Sequence, residues 1–422
     1  MARSQSEPRS AFVIGVYRDV VIVGAGPAGC SAAIHARSVG LSVRIIDRAS
    51  FPRDKTCGDG LTTVALRELA ALGIQPASVP SWRPIVGVRI TSPSGHVAQL
   101  DLPTDGTCYI ATAPRSELDE QLLTVAQNAG AETSLGTTVT DIVPRGDRWV
   151  VATSSGEPVE AAYVIHAGGA RGLPTFKTGR PRPATAGRDE LIASRVYLDN
   201  TLDLDDQIHI WFHDDILPGY AWMFPSGKNT ANVGVALHTA NRSPSDLVAE
   251  TERVLESDWL VGLLGDSATR RAALRSWPIP IRPLPDPADG GLLRLGDAAG
   301  LCDPMTGEGI AQALTSGRLA VESIFQHFDR PDLAADAYRK TIRSEFTADY
   351  RTSRILLWLL RSSRWTRGAI RFMGSTQWVS RWFARWMFEE IPRRAVLSPA
   401  ACTRSLRSPR GVRFAGADEA SP

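Results

Sequence analysis

The stretch from Asp19 to Gly60 constrains this chain more than any other. Val20 to Val23 form a short continuous apolar run, the pattern of a parallel strand buried on both faces. Gly24, Gly26 and Gly29 follow with G-x-G-x-x-G spacing, enclosing Ala25, Pro27 and Ala28. The first glycine permits a tight turn, the second lets backbone approach a pyrophosphate, and the third lets a helix pack on the strand. The pattern predicts a helix over Ser31 to Ser38 stopped by Gly40, then a second strand from Leu41 to Ile46. Asp47 ends that strand, where an acid hydrogen-bonds a ribose hydroxyl. Glycine-rich turns are common, but strand, glycines, helix, strand and terminal acid in this order point to dinucleotide binding.

Composition bounds the rest. A chain of 422 residues suits two to three domains at roughly 150 residues each. A net charge of +2 gives no global sign of nucleic-acid binding, yet Arg351 to Arg394 holds ten arginines against Glu389 and Glu390. Cys30, Cys57, Cys108, Cys302 and Cys402 are scattered and lack C-x-x-C pairing. That argues against a disulfide framework and a structural zinc site, and for a reducing, cytoplasmic setting with no metal. No run of 18 apolar residues suggests a membrane-spanning helix.

Along the chain, Thr62 to Leu72 has helical apolar spacing, and Val86 to Ile90 and His96 to Leu102 alternate like antiparallel strands. Arg115 to Asn128 reads as a helix stopped by Gly130, followed by strands at Thr138–Val143, Trp149–Ser154 and Ala162–Ala167. Pro174 to Arg188 looks like an exposed connection. Strands then dominate to Leu237: Ile208–Phe212, Tyr220–Phe224 and Ala231–Leu237. Ser245–Leu255 resembles a helix, and Leu292–Leu295 is a short strand running into Gly296-Asp297-Ala298-Ala299-Gly300. Gly309 and Ile310 open a long helix to about Phe328, and the chain stays helical to Ile391.

The fold expected is α/β: a Rossmann-like dinucleotide-binding domain at 18–85, 108–180 and 286–330, with an inserted antiparallel-sheet substrate domain at 86–107 and 185–285. A C-terminal helical segment spans 331–394, and residues 1–16 and 395–422 are expected to be disordered.

Three blocks together resemble one family. The glycine motif, Gly296-Asp297-Ala298-Ala299-Gly300 and Arg115 are similar to the hydroxylase-type FAD-dependent oxidoreductases. Within them, Phe51-Pro52-Arg53-Asp54-Lys55-Thr56-Cys57-Gly58-Asp59-Gly60 resembles the signature of geranylgeranyl reductase-type flavoproteins. So do Pro218-Gly219-Tyr220-Ala221-Trp222-Met223-Phe224-Pro225 and the run from Cys302 to Ile310. The resemblance covers roughly Tyr17 to Phe328. It implies that FAD is contacted by the glycine motif, Asp47, Arg48, Lys55, Cys57, Gly58, Arg115, the backbone around Val139, Asp297, Gly309 and Ile310.

The residues have their own readings. Asp297 follows a strand and can accept from a ribityl hydroxyl, or serve as an ordinary N-cap acid. The N–H groups at Gly309 and Ile310 can face flavin pyrimidine carbonyls. Arg115 is otherwise a solvated helix-start charge. Cys57 is either a small polarizable filler or a chemical participant beside the flavin ring. Tyr220 and Trp222 alternate on a strand and so face one side, as substrate-cavity wall or as aromatic core.

One departure bears on the electron source. Many hydroxylases carry an Asp-Gly pair after the strand at 162–167, where this chain has Gly168-Gly169 and no acid. Direct NADPH reduction is therefore in doubt, and a ferredoxin or flavin reductase becomes an alternative donor. His166, at the same site, reads as structural.

The resemblance implies saturation of isolated prenyl double bonds, with Cys57, Tyr220 and Trp222 at the flavin face of the substrate cavity. The competing enzyme reading is a monooxygenase or epoxidase on a hydrophobic natural product; a non-enzymatic flavoprotein is a third. A halogenase needs a lysine well after the glycine motif, and none lies between Lys55 and Lys177. Trp358, Trp365, Trp378, Trp382 and Trp386, interleaved with arginines, suit a helix at the inner face of a membrane. A packed helical cap with a solvated arginine face fits them equally, and no accompanying motif supports nucleic acid.

Overall fold

The computed structural model describes residues 16–170, 190–238, 244–388, 391–397 and 411–414. Its first sheet has a parallel centre in the order Leu292–Arg294, Val159–His166, Val16–Val23, Val43–Ile46 and Glu132–Ser134. Val20 pairs with Val43 on one side and Tyr163 on the other, so the central strand has no free edge. Burial on both faces explains its unbroken apolar run. Val20 and Ile22 pack into a helical cluster, while Val21 and Val23 pack against Val139, Ile142 and Trp149 of an antiparallel hairpin.

Nine helices lie among the described residues: α1 Pro27–Ser38, α2 Thr63–Ala71, α3 Arg115–Asn128, α4 Pro244–Leu255, α5 Asp258–Leu264, α6 Ile310–Gln326, α7 Pro331–Leu360, α8 Ser363–Met373 and α9 Gln377–Met387. Helices α1 and α6 cross closely because small residues face each other. A Cβ on Gly317 of α6 would fall 2.7 Å from the Ala28 carbonyl oxygen and 2.9 Å from the Ala32 nitrogen of α1. One on Gly29 would fall 1.9 Å from the Gly24 carbonyl oxygen, which is why the third motif position takes only glycine.

The second sheet runs Thr269–Arg270, Glu190–Asp199, Thr230–His238, Tyr220–Pro225, Gln207–Trp211, Gly87–Thr91 and Val97–Asp101, with Arg275–Pro280 also paired to Glu190–Asp199. It departs from the expected antiparallel order at one place: Gln207–Trp211 lies parallel to Gly87–Thr91. That hairpin arrives from a distant part of the chain and joins through a crossover, which imposes no hairpin polarity. Strand alternation sorts the faces. Ala221 and Met223 pack toward α4 and α5, whereas Tyr220, Trp222 and Phe224 point the other way.

The α/β fold with C-terminal helices is the one expected, with corrections at the ends. Val16 belongs to the first strand, and α1 starts at Pro27 rather than Ser31. The tail expected to be disordered from 395 contains packed residues. Ala395 is buried with Trp382 and Trp386, and Val412 bridges Cys108 through two 2.9 Å backbone hydrogen bonds. Phe414 meets Trp82 edge-on at 5.6 Å. A polar average over the tail hides two apolar anchors. Residues 1–15 and the Pro174–Arg188 connection lie outside the described residues.

The helix crossing gives a stability test. Gly317→Val is expected to cost about 1–3 kcal/mol through overpacking against α1. Gly368→Ala, on an exposed stretch of α8 where a Cβ meets nothing within 4 Å, is expected to stabilise by about 0.8–1 kcal/mol. Chemical denaturation of both variants measures the two signs.

Candidate active site

A single continuous cavity of about 900 Å³ begins at Gly24, Gly26, Asp47 and Arg48. It passes Lys55, Cys57, Gly58 and Arg115, reaches Tyr220, Trp222 and Phe224, and ends among side chains of α7, α8 and α9.

At the motif end, Gly24 has φ +107, and a Cβ there would lie 2.4 Å from the Ala167 carbonyl oxygen. Gly26 N-caps α1 without a side-chain hydrogen bond, and the first turn holds no acid. A Cβ on Gly26 would meet only the Arg53 guanidinium, at 3.4 Å, and would otherwise fill the cavity. Bare helix N–H groups beside a space that a side chain would close form a cradle for a pyrophosphate. Asp47 accepts from Ala25 N–H at 2.7 Å and Ala49 N–H at 2.8 Å, which shapes the turn while leaving carboxylate lone pairs toward the cavity.

The predicted residues divide in the structure. Gly24, Gly26, Pro27, Ala28, Asp47, Arg48, Lys55, Cys57, Gly58, Arg115, Asp297, Gly309 and Ile310 all border the cavity. Ala25 and Gly29 lie behind it, one fully buried and one pressed on the Gly24 turn. Val139 stands outside the lining: its side chain packs with Val21, Val23 and Ile46 on the hairpin side of the sheet.

Charge in the middle of the cavity is paired. Lys55 Nζ lies 3.4 Å from Asp297 and 5.6 Å from the Trp277 ring centre. Burial works against the Asp297 charge, but Lys55, the Cys302 thiol donating at 3.1 Å and Arg115 outweigh it and hold the carboxyl below its ordinary value. Arg115 is no solvated charge: it is buried and donates twice to Asp119, at 2.8 and 2.7 Å. Asp119 also takes Arg53 at 3.0 Å. At the start of α6, the Ala311 N–H already donates to Glu308 at 3.0 Å, so the helix end expected to face the flavin is partly capped.

Cys57 is held as a thiol, because burial pushes its pKa up. The Tyr220 hydroxyl donates to the Thr306 carbonyl, and burial likewise keeps it protonated. The rings of Tyr220, Trp222 and Phe224 form a row with centroids 6.1 and 6.3 Å apart. His166 is neutral, its pKa pushed down to about 3 by burial and by Arg294.

Sequence reasoning passed over a buried network behind this wall. Asp59, fully buried with φ +66, accepts from Tyr197 Oη at 2.5 Å and Asn232 Nδ2 at 2.7 Å. The signal was present, since Asn232 interrupts the otherwise small and apolar run Ala231-Asn232-Val233-Gly234-Val235.

The five C-terminal tryptophans also divide. Trp382 and Trp386 stack at 5.9 Å inside the helical cap, whereas Trp358, Trp365 and Trp378 are 56–66% exposed. Among the described residues no helix is long and apolar enough to cross a membrane.

A nucleotide cradle leading directly into an apolar, aromatic-walled chamber defines an FAD-dependent oxidoreductase. Comparison with known proteins agrees. Residues 17–324 match the FAD binding domain family. The chain is 36% identical to a menaquinone reductase of Mycolicibacterium smegmatis over 326 residues, which cover 72% of this chain and 75% of that one. It is 29% identical to a digeranylgeranylglycerophospholipid reductase of Methanosphaerula palustris over 76% of this chain and 79% of the other. A geranylgeranyl bacteriochlorophyll reductase-like protein from Thermoplasma acidophilum superposes with a TM-score of 0.75 at 23% identity, covering 93% of this chain and 96% of that one. The chain belongs to the geranylgeranyl reductase-type family of FAD-dependent oxidoreductases.

The buried carboxylate gives a pH test. Burial raises the Asp59 pKa from 3.8 to about 6 against the opposing pull of Tyr197, Arg195, Asn232 and Arg115. A folded pKa above the unfolded one means that this group's stability is present below 3.8 and is lost as pH rises through about 6, a total of about 3 kcal/mol. Denaturation of wild type and Asp59→Asn at pH 4 and pH 7 is therefore expected to shift in favour of the variant by that order at the higher pH.

Proposed function

We propose that this chain saturates carbon–carbon double bonds of a long prenyl chain, on a quinone, a glycerolipid or a terpenoid. The observation that carries the reading is the continuity of the cavity from the nucleotide cradle into the chamber lined by Ile90, Ile208, Ile210, Trp222, Phe224 and Met373. The relatives' names join a quinone with a digeranylgeranyl lipid. An isoprenoid chain is the chemistry those two substrates share.

We assign the FAD contacts to the cavity-lining residues of the glycine motif, Asp47, Arg48 and the Lys55–Gly58 loop, with Arg115, Asp297, Gly309 and Ile310. Reduced flavin supplies a hydride; an isolated alkene also needs a proton to accept it. The chain's part is to hold the alkene close and exclude water. The electron-rich faces of Tyr220, Trp222 and Phe224 stabilise positive charge that develops on a protonated double bond. Cys57 and Tyr220 both retain protons beside this space. Gly168 borders the cavity where an acid would engage a nicotinamide cofactor, which supports a separate electron-donor protein over NADPH.

Anaerobic enzyme reduced with dithionite is expected to add two mass units per bond to a polyprenyl quinone or geranylgeranyl lipid, measured by mass spectrometry. NADPH alone is expected to leave the flavin oxidised. Oxygen-dependent addition of oxygen instead of hydrogen would establish the monooxygenase alternative and end this reading.

The cap also supports peripheral contact with an anionic membrane. Trp365 and Phe372 of α8 are exposed and border the cavity, and Ile355 and Trp358 of α7 and Trp378 of α9 are exposed among exposed Arg351, Arg354, Arg361, Arg364, Arg371 and Arg381. Interfacial tryptophans and basic residues at a lipophilic mouth suit extraction of a lipid from a bilayer. In flotation with vesicles rich in phosphatidylserine, wild type is expected to bind in a salt-sensitive way. The triple substitution Trp358→Ser, Trp365→Ser and Trp378→Ser is expected to weaken binding at least ~10-fold; equal flotation of both proteins removes the membrane from the reading.

A further inference from the structure

Asn232 is the third residue of Thr230–His238, opposite Tyr197 on one neighbouring strand and Phe224 on the other. It is fully buried, and its amide joins two parts of the cavity wall that are far apart in sequence. Nδ2 donates to the Cys57 carbonyl at 2.8 Å and to Asp59 Oδ2 at 2.7 Å. Oδ1 accepts from the Trp222 indole N–H at 3.1 Å. Cys57 and Gly58 border the cavity next to the Lys55–Asp297 pair, and Trp222 walls the apolar chamber; Asn232 itself borders neither.

The surrounding backbone leaves this arrangement little freedom. A Cβ on Gly234 would lie 2.3 Å from the Trp222 ring, so the indole rests on bare strand backbone. A Cβ on Gly58 would lie 3.2 Å from Phe224 and 3.4 Å from the Trp222 nitrogen, so the loop rests on those rings. Asp59 returns the loop with its own N–H directed to Cys57 Sγ at 3.3 Å, and Tyr197 holds the carboxylate from the other side. Only a neutral amide of this length can accept once and donate twice here. An aspartate would oppose Asp59, and a leucine would leave the indole, the Cys57 carbonyl and Asp59 each short of a partner.

We propose that Asn232 is a positioning residue that fixes the spacing between the Cys57 loop and the Trp222 indole, and so the distance at which a double bond in the chamber meets the flavin. The proposal rests on the prenyl-reductase reading for its chemistry and on the hydrogen bonds alone for its structural content. The amide acts through Cys57, Gly58 and Trp222, and its loss shifts the two walls relative to each other without removing any group that touches flavin or substrate.

The test uses full-length FAD-loaded protein and the variants Asn232→Leu and Asn232→Asp. With 15N-labelled tryptophan, and Trp222→Phe to assign the signal, the Trp222 indole resonance is expected to move upfield in Asn232→Leu. It is expected to stay in Asn232→Asp, which keeps the acceptor. In single-turnover reduction of a geranylgeranyl lipid by pre-reduced enzyme, both variants are expected to slow at least ~10-fold, as ångström-scale misplacement of reacting groups does. FAD retention and the rate of flavin reduction by dithionite are expected to stay within about twofold of wild type. Asn232→Asp is expected to recover rate as pH falls, because a protonated carboxyl can again donate to Asp59. Arg195, Arg115, Tyr197 and Cys57 are the other titratable groups acting on that carboxylate. Asn232→Leu is expected to follow the wild-type pH profile at a lower rate.

An unshifted indole in Asn232→Leu with wild-type turnover would overturn the proposal. So would a pH-independent Asn232→Asp, which decides the matter even where the leucine variant does not fold. If wild type saturates no prenyl substrate, the reaction reading falls, while the indole resonance still decides whether Asn232 holds the two walls.

Discussion

The loop from Asp54 to Gly60 belongs to the nucleotide half of the chain but is anchored in the second sheet, and the cavity depends on that anchorage. Asp54 pairs with Arg195 and, at 3.0 Å, with Arg275; Asp59 is buried against Tyr197 and Asn232. A buried carboxylate without donors costs several kcal/mol, so the loop and the sheet hold each other in register. Around that contact the cradle at Gly26 and the ring row at Tyr220–Phe224 become two ends of one space.

A second set of buried bonds closes the far end. Asp303 accepts from the N–H groups of Met305 and Thr306 at 2.8 and 2.9 Å, from Ser353 Oγ at 2.9 Å and from Arg393 Nε at 3.4 Å. Burial opposes its charge, and Arg393 with these donors holds the carboxyl below its ordinary value. The loop that gives Tyr220 its carbonyl partner is thereby tied to α7 and to the chain after α9. Arg393 also donates to the Trp386 carbonyl at 2.5 Å and lies 5.2 Å from that ring centre, so the cap is bound to the cavity through polar contacts as well as apolar packing.

Much of this was legible from local pattern. The Val20–Val23 run, the glycine spacing and Asp47 follow from backbone constraints that act over a few residues, and the α/β fold came with them. The alternation of Tyr220, Trp222 and Phe224 follows from strand geometry, and the three do share a face. Val139 turns its side chain to Val21 and Val23 on the hairpin side of the sheet, so whatever it offers a nucleotide must come from its backbone. The alternative of a solvated charge at Arg115 falls because the start of α3 is buried, where Asp119, one turn on, pairs with the guanidinium. Val412 and Phe414 were lost in a polar tail, since two apolar residues leave no periodicity to detect.

The sequence by itself determined a dinucleotide-binding unit, its FAD-dependent family and the aromatic strand beside it, because those rest on turns, periods and motifs written within single segments. Only the tertiary structure decided that Asn232 joins Cys57 to Trp222, that three of the five cap tryptophans face outward, and that one cavity links cradle to chamber. Those are meetings of residues up to about 175 positions apart. A buried amide or carboxylate takes its role from whichever donor the fold brings to it, and no local pattern names that donor.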